Sequence, residues 1–194
     1  MKIGILALQG DFEMHQKMVR RMRIPSMLVK RPEDLEQCDG LIIPGGESTT
    51  FMNLIDRIGL KKAIEDFYSK KPVFGTCAGS IILSKNVIGE TRYQTFGAID
   101  VDIQRNAYGR QIDSFIDNLF IDSVIDQDNS LFEGVFIRAP KIQRIGKKVK
   151  VLATYNDYPV MVEEGLVMIA TFHPELTKDT RIHNYFIQKV QSTL

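Results

Sequence analysis

The sequence predicts an α/β fold in which a mostly parallel sheet carries helices on both faces. In the first half of the chain, short apolar runs alternate with longer amphipathic ones, which is typical of β-α units. The second half changes to short runs that alternate like extended strands, with turn residues between them. At 194 residues with 44% hydrophobic content, the chain is long enough to bury a substantial core. With no repeat or linker in the sequence, we expect a single domain over residues 1–194.

In the first half of the chain, short apolar runs predict buried strands, and apolar residues at helical spacing predict helices. In chain order they are a strand over 3–8, a helix over 12–22, strands over 26–29 and 40–43, helices over 49–58 and 60–69, a strand over 73–75, and a helix after residue 77. Ser48 is expected to cap the helix over 49–58, and Gly59 to end it.

The second half is predicted to be mainly extended. Strands are expected over 97–103, 114–121, 135–137, 149–153, 160–162 and 166–172, followed by a final amphipathic helix over 178–190.

Composition excludes several classes of partner. The formal charge of +1 gives no reason to expect binding to nucleic acid or to an acidic membrane. No segment approaches the roughly 18 to 20 apolar residues that span a bilayer. The amino-terminal strand-like run lacks the cleavage site of a signal peptide. Two cysteines, Cys38 and Cys77, are too few for a disulfide framework. We therefore expect a reduced, cytoplasmic protein.

Cys77 is the first candidate for chemistry. It lies in the run Gly75-Thr76-Cys77-Ala78-Gly79, between a predicted strand and a predicted helix, as the nucleophile does in a nucleophile elbow. Side chains at the two flanking glycines would collide with the neighbouring strand and helix. A helix amino terminus also favours a thiolate. The alternative is a small buried residue in a tight turn, which is how we interpret Cys38.

A cysteine nucleophile needs a base that takes the proton of its thiol, and the chain has three histidines. His173 is the best candidate, because at strand spacing Glu175 would lie on the same side and set the ring's tautomer. The alternative for this segment is a polar strand end with an N-capping glutamate. His183 is interpreted as a solvated residue of the last helix. His15, in the first helix, could equally be a hydrogen-bonded packing residue.

Two further features suggest how a substrate is held. Ala78 is expected to donate one oxyanion-hole N–H, and the loop Pro44-Gly45-Gly46-Glu47-Ser48 a second; that loop could also be a simple tight turn. Arg105 and Arg138 each follow a predicted strand, and a guanidinium can grip a carboxylate through two hydrogen bonds. In open α/β sheets, ligands bind at the carboxyl ends of strands, where the loop, Cys77 and His173 are predicted to meet.

These motifs, in this order, resemble class I (triad) glutamine amidotransferases, and in particular the branch formed by the glutaminase subunits of pyridoxal 5′-phosphate synthases. The segments that carry the resemblance are Leu8-Gln9-Gly10, residues 44–50, residues 75–79, Arg105-Asn106 with Gly109-Arg110-Gln111, residues 136–140, and His173-Pro174-Glu175-Leu176. They span nearly the whole chain. The resemblance implies a three-layer, flavodoxin-like fold.

The resemblance also implies an activity: hydrolysis of L-glutamine to glutamate and ammonia. The ammonia would pass to a synthase subunit that builds the vitamin B6 cofactor from a pentose phosphate and a triose phosphate, within a large assembly. Cys77 would be the nucleophile, His173 the base and acid, and Glu175 the orienting carboxylate. The family's glutamine-contacting positions, one of which (Gly46) would also complete the oxyanion hole, correspond to Gly46, Glu47, Ser48, Arg105, Ile137 and Arg138. No metal or organic cofactor is expected.

Three alternatives remain open at this point. One is a stand-alone cysteine hydrolase or peptidase, and another is a triad glutaminase of a different pathway, such as imidazole glycerol phosphate synthesis. The third is a binding subunit that keeps the fold without catalysis. Two turns, over 11–14 and 156–158, are expected to lie away from the site.

Overall fold

A computed structural model describes residues 1–90, 92–107, 114–128 and 130–194. Across these residues the helices are α1 (Phe12–Arg21), α2 (Pro32–Leu35), α3 (Ser48–Arg57), α4 (Leu60–Tyr68), α5 (Ala78–Leu83) and α6 (Arg181–Gln191). The strands are β1 (Ile3–Leu6), β2 (Ser26–Val29), β3 (Gly40–Ile43), β4 (Val73–Thr76), β5 (Ser84–Val87), β6 (Ile99–Gln104), β7 (Ser114–Ile121), β8 (Phe132–Ile137), β9 (Lys141–Ile145), β10 (Lys150–Tyr155), β11 (Tyr158–Glu164) and β12 (Val167–Ala170).

The predicted elements are all present, with ends that differ by a few residues. Four further elements were not predicted from the sequence: α2, β5, β9 and a single 3-10 turn at Pro174–Leu176. The assignment of the α3 cap to Ser48 was wrong. The carboxylate of Glu47 caps this helix, accepting the backbone N–H groups of Thr49 and Thr50, whereas Ser48 is buried.

A nine-stranded sheet forms the centre of the fold, in the order β2-β1-β3-β4-β12-β11-β10-β7-β8. The five strands from β2 to β12 are parallel, and the remainder continue as an antiparallel meander. Consequently β12, the last strand in the chain, pairs directly with β4. The remaining three strands form a separate small sheet in the order β5-β6-β9.

Apolar side chains cover both faces of the large sheet. On one face, Leu41, Ile43 and Val73 pack with residues of α3, α4 and α5; on the other, Ile42 and Phe74 pack with residues of α1 and α6. This alternation along neighbouring strands is what a sheet buried on both sides requires. The prediction of a three-layer, mostly parallel α/β fold is confirmed. Within the described part of the chain, every helix is too short or too polar to cross a bilayer.

Candidate active site

Cys77 occupies a strained turn between β4 and α5. Its φ is +46° and its ψ is −104°, a conformation that costs a residue other than glycine about 1–3 kcal/mol. The expected collisions at the flanking glycines are confirmed: a Cβ at Gly75 would lie 2.7 Å from the backbone of Gly79, and one at Gly79 would strike the carbonyl oxygen of Ile43. The turn therefore lifts the thiol to the carboxyl edge of the sheet, where Cys77 remains 7% exposed.

His173 follows β12 and so stands beside Cys77, one strand away. Its backbone N–H donates to the carbonyl oxygen of Val135 in β8 at 2.8 Å, and its Nδ1 lies 2.7 Å from Oε1 of Glu175. Both side chains are buried. The strand spacing assumed for residues 173 and 175 was wrong, because Pro174 begins a 3-10 turn. The contact between the Glu175 carboxylate and the His173 ring therefore arises from this turn and not from an extended strand.

The electrostatics favour a charged His173. Burial alone lowers the pKa of this histidine, but hydrogen bonds to Cys77 and Glu175 outweigh it and raise the pKa to about 10. A protonated imidazole beside the sulfur stabilises a thiolate, which is the nucleophilic form of cysteine. The other thiol differs: burial raises the pKa of Cys38 to about 11, consistent with a packing role.

Gly45 packs directly against Cys77 and His173. A Cβ on this residue would press against Cε1 of His173, 3.1 Å from its Nδ1 and 3.4 Å from Cβ of Cys77. The next residue, Gly46, has a φ of +151°, and a Cβ there would lie 3.1 Å from the ring of Phe51. Glycine is therefore required at both positions, for sterics at one and for backbone geometry at the other.

A cleft of about 450 Å³ opens above Cys77. It is lined by Asp11, Gly46, Glu47, Ser48, Cys77, Ile81, Arg105, Asn106, Ile137, Arg138 and His173. The cleft thus brings together every residue that the sequence analysis selected except Ala78 and Glu175. Glu175 lies behind His173, and Ala78 is buried as the first residue of α5, where its N–H has no partner inside the helix.

Both arginines line the cleft, and each comes directly after a strand, Arg105 after β6 and Arg138 after β8. The Arg105 guanidinium pairs with the carboxylates of Glu47 (3.0 Å) and Glu90 (2.8 Å). Burial would raise the pKa of Glu47, but hydrogen bonds from Thr50 and Thr49 lower it to about 2, so this carboxylate is charged. Arg138 is exposed and has a φ of +44°. The Gly109-Arg110-Gln111 segment falls outside the described residues.

Two expectations about neighbouring residues are corrected by the structure. Asp11 was expected to lie away from the site, but it lines the cleft, with Oδ2 3.9 Å from Nδ1 of His173. Its position just after β1 was the available signal, since ligands gather at the carboxyl ends of parallel strands. His183 was interpreted as solvated but is fully buried, with Nε2 3.0 Å from Nδ1 of His15. His15 is buried and hydrogen-bonded, in keeping with the packing alternative that the sequence left open for it.

One group of possible metal ligands lies in the described part of the chain. Asp11, His173 and Glu175 place ligand atoms within 4.8 Å of one another. Nδ1 of His173 already bonds to Glu175, so the geometry is that of a hydrogen-bonded pair with an acidic neighbour.

Known proteins resemble this chain over nearly its whole length. The model of the SNO glutamine amidotransferase family matches residues 5–192. A protein of Thermosipho africanus, named pyridoxal 5′-phosphate synthase subunit PdxT, is 44% identical over 98% of this chain and 100% of its own length. A protein of the same name from Koribacter versatilis is 46% identical over 99% of this chain and 97% of its own. A crystal structure of a glutamine amidotransferase superposes with a TM-score of 0.91 at 40% identity, covering 97% of this chain and 98% of that one.

Proposed function

The chain belongs to the SNO glutamine amidotransferase family, and from that premise we propose that it is the glutaminase subunit of a pyridoxal 5′-phosphate synthase. It hydrolyses L-glutamine to L-glutamate and ammonia, and the ammonia is used by a synthase subunit to make the vitamin B6 cofactor. The observation that carries this proposal is the hydrogen-bonded series of Glu175, His173 and Cys77, the last two of which line a cleft that also holds two arginines.

The reaction follows from the positions of these side chains. The Cys77 thiolate attacks the side-chain amide carbon of glutamine, and His173 gives its proton to the departing ammonia. A thioester remains, and His173 then takes a proton from the water that hydrolyses it. Glu175 holds the imidazole in the required tautomer throughout. The N–H groups of Gly46 and Ala78 stabilise the oxyanion of both steps.

The walls of the cleft would hold the rest of the substrate. The α-carboxylate of glutamine fits the Arg105 guanidinium, which is already oriented by Glu47 and Glu90. Arg138, Ile137 and Ser48 lie on the remaining walls. This recognition of an amino acid favours a glutaminase over a stand-alone peptidase, and the names of the relatives favour vitamin B6 synthesis over another glutamine-dependent pathway.

We further propose the setting in which the subunit works. The whole chain, 1–194, acts as one domain in the cytoplasm, where Cys38 and Cys77 stay reduced. It functions in a large assembly with its synthase subunit. The reaction needs neither a metal nor an organic cofactor.

The test uses the protein together with its cognate synthase. With L-glutamine, a pentose phosphate and a triose phosphate, we expect cofactor synthesis, and Cys77→Ala should abolish it. Supplying an ammonium salt should restore synthesis in the Cys77→Ala complex, because only the glutaminase step is lost. Cys38→Ala serves as the matched control and should retain full activity. Glutamine-dependent synthesis by the Cys77→Ala complex would overturn the assignment.

A further inference from the structure

A line of buried polar side chains continues behind the catalytic carboxylate. While Oε1 of Glu175 bonds to His173, Oε2 is buried, has no hydrogen-bond partner among the described residues, and lies 3.4 Å from Nε2 of His15. The same Nε2 is 3.0 Å from Oγ1 of Thr76, the residue before Cys77. On the far side of the ring, Nδ1 of His15 lies 3.0 Å from Nε2 of His183. All of these side chains are buried.

The tautomers of this histidine pair follow from the unpartnered atoms. Burial keeps both rings neutral, lowering the pKa of His183 to about 3 and that of His15 well below its ordinary value. Each ring therefore carries one N–H. Nδ1 of His183 has no partner among the described residues, and a buried N–H without a partner costs more than a buried lone pair. The proton of His183 is thus on Nε2, where it donates to Nδ1 of His15.

This donation fixes the other side of the His15 ring. With Nδ1 accepting, the proton of His15 is on Nε2, so an N–H dipole faces Thr76 and Oε2 of Glu175. The opposite tautomer would present a lone pair to the carboxylate and leave a buried N–H on His183 without a partner. Both effects favour the same arrangement, in which the positive end of the neutral ring's N–H dipole faces the second oxygen of Glu175.

We infer that His15 is a positioning residue of the glutaminase: its Nε2–H dipole lies against the second carboxylate oxygen of Glu175 and stabilises the negative charge there, and His183 sets the His15 tautomer. The inference rests on the proposed function for its catalytic meaning. A charged, correctly oriented Glu175 stabilises the His173 imidazolium, and the imidazolium stabilises the Cys77 thiolate. His15 thereby acts on the nucleophile through two intervening residues, without touching substrate.

The sign of the effect depends on every charged or titratable group around Glu175. These groups are His173, which it contacts, Asp11 and His15 from α1 and its amino-terminal turn, and Cys77 beyond β4. Burial raises the pKa of Glu175 and the charge of Asp11 adds to this, whereas the protonated His173 opposes it by favouring the charged carboxylate. Removing the His15 N–H shifts this balance toward a protonated Glu175. The His173 imidazolium then loses part of its stabilisation, and so does the thiolate beside it.

The test measures the thiolate directly, by the pH dependence of Cys77 alkylation with iodoacetamide. In a Cys38→Ala background, His15→Leu should move the midpoint of alkylation upward by about one pH unit. Below both midpoints it should also lower kcat/KM about tenfold, because one unit there is a tenfold change in thiolate fraction. His15→Gln keeps an amide N–H near the position of Nε2 and should restore both values to within about threefold. Unchanged values in His15→Leu, or equal losses in both variants, would overturn the inference.

Two controls separate this role from general packing. Val19→Ala removes a buried side chain from the same helix, and it should lower Tm without moving the alkylation midpoint. An equal midpoint shift in Val19→Ala would refute the positioning role. Nitrogen NMR of the unaltered protein gives a second test that needs no variant to fold: His15 and His183 should both carry their proton on Nε2, and Nδ1 protonation of His15 overturns the inference. Alkylation and NMR do not depend on glutamine turnover, so an error in the proposed function is distinguishable.

Discussion

Gly45→Ala tests whether the positions of Cys77 and His173 depend on the absence of a side chain at residue 45. The added methyl carbon would press on Cε1 of His173, the ring carbon between the two nitrogens. Carbon atoms pack at about 3.5–4.0 Å, so the ring must move by about 1 Å. In the unaltered protein, Nδ1 of His173 lies 2.7 Å from Oε1 of Glu175. The movement of the ring would lengthen this contact and would displace Nε2 of His173 as well. Misplacement of this size costs about 100-fold in rate.

The assay is kcat/KM for glutamine hydrolysis in the presence of the synthase, with Tm measured on the same samples. Gly45 has no positive φ, so any loss in Gly45→Ala arises from contacts rather than from backbone strain. Gly59→Ala is the matched control. Gly59 has a φ of +72° and open space around its Cβ position, so its substitution should cost about 1 kcal/mol of stability without loss of activity. Normal turnover in folded Gly45→Ala would refute the argument.

Two further predictions concern the substrate and acid stability. Arg105→Met should raise KM for glutamine about 10- to 100-fold with a smaller change in kcat, since it removes a charge-assisted contact; an unchanged KM would place the carboxylate elsewhere. Stability should fall as the pH drops from 6.5 toward 3, by about 4 kcal/mol from His183, because burial lowers its pKa from 6.5 to about 3 and the unfolded state binds the extra proton. His173 adds little in this range, because its folded form is protonated throughout and its unfolded form gains the rest of its proton close to pH 6.5. Urea unfolding of His183→Leu should depend less steeply on pH, and an identical slope would contradict the assignment.

Much of the fold was predictable because buried strands and amphipathic helices have different apolar periods. The missed elements are those with weak periods: α2 has four residues, and β9 has one buried position. The α3 cap was misassigned because serine is the commoner cap. The hydroxyl of Ser48 instead accepts from Tyr93, and the longer Glu47 side chain folds back onto the helix.

The histidine pair shows what the sequence could and could not reveal. His183 shares the helical spacing of the buried residues Phe186, Ile187 and Val190, and that signal places it on the inner face of α6. Its polar neighbours in sequence obscured this pattern. The contact with His15 could not be predicted, because it joins helices from opposite ends of the chain. The Glu175 contact with His173 was predicted from the wrong local geometry.

The pairing of β4 with β12 has a consequence for when the enzyme becomes active during its synthesis. Cys77 is synthesised with the first half of the chain, whereas His173 comes after β12, the last strand, and directly before the 3-10 turn. A ribosome-bound or truncated chain therefore carries a thiol with no base beside it. Such a chain cannot release ammonia, so glutamine is spared until the carboxyl-terminal segment has folded against the sheet. The order of strands makes completion of the polypeptide a condition for catalysis.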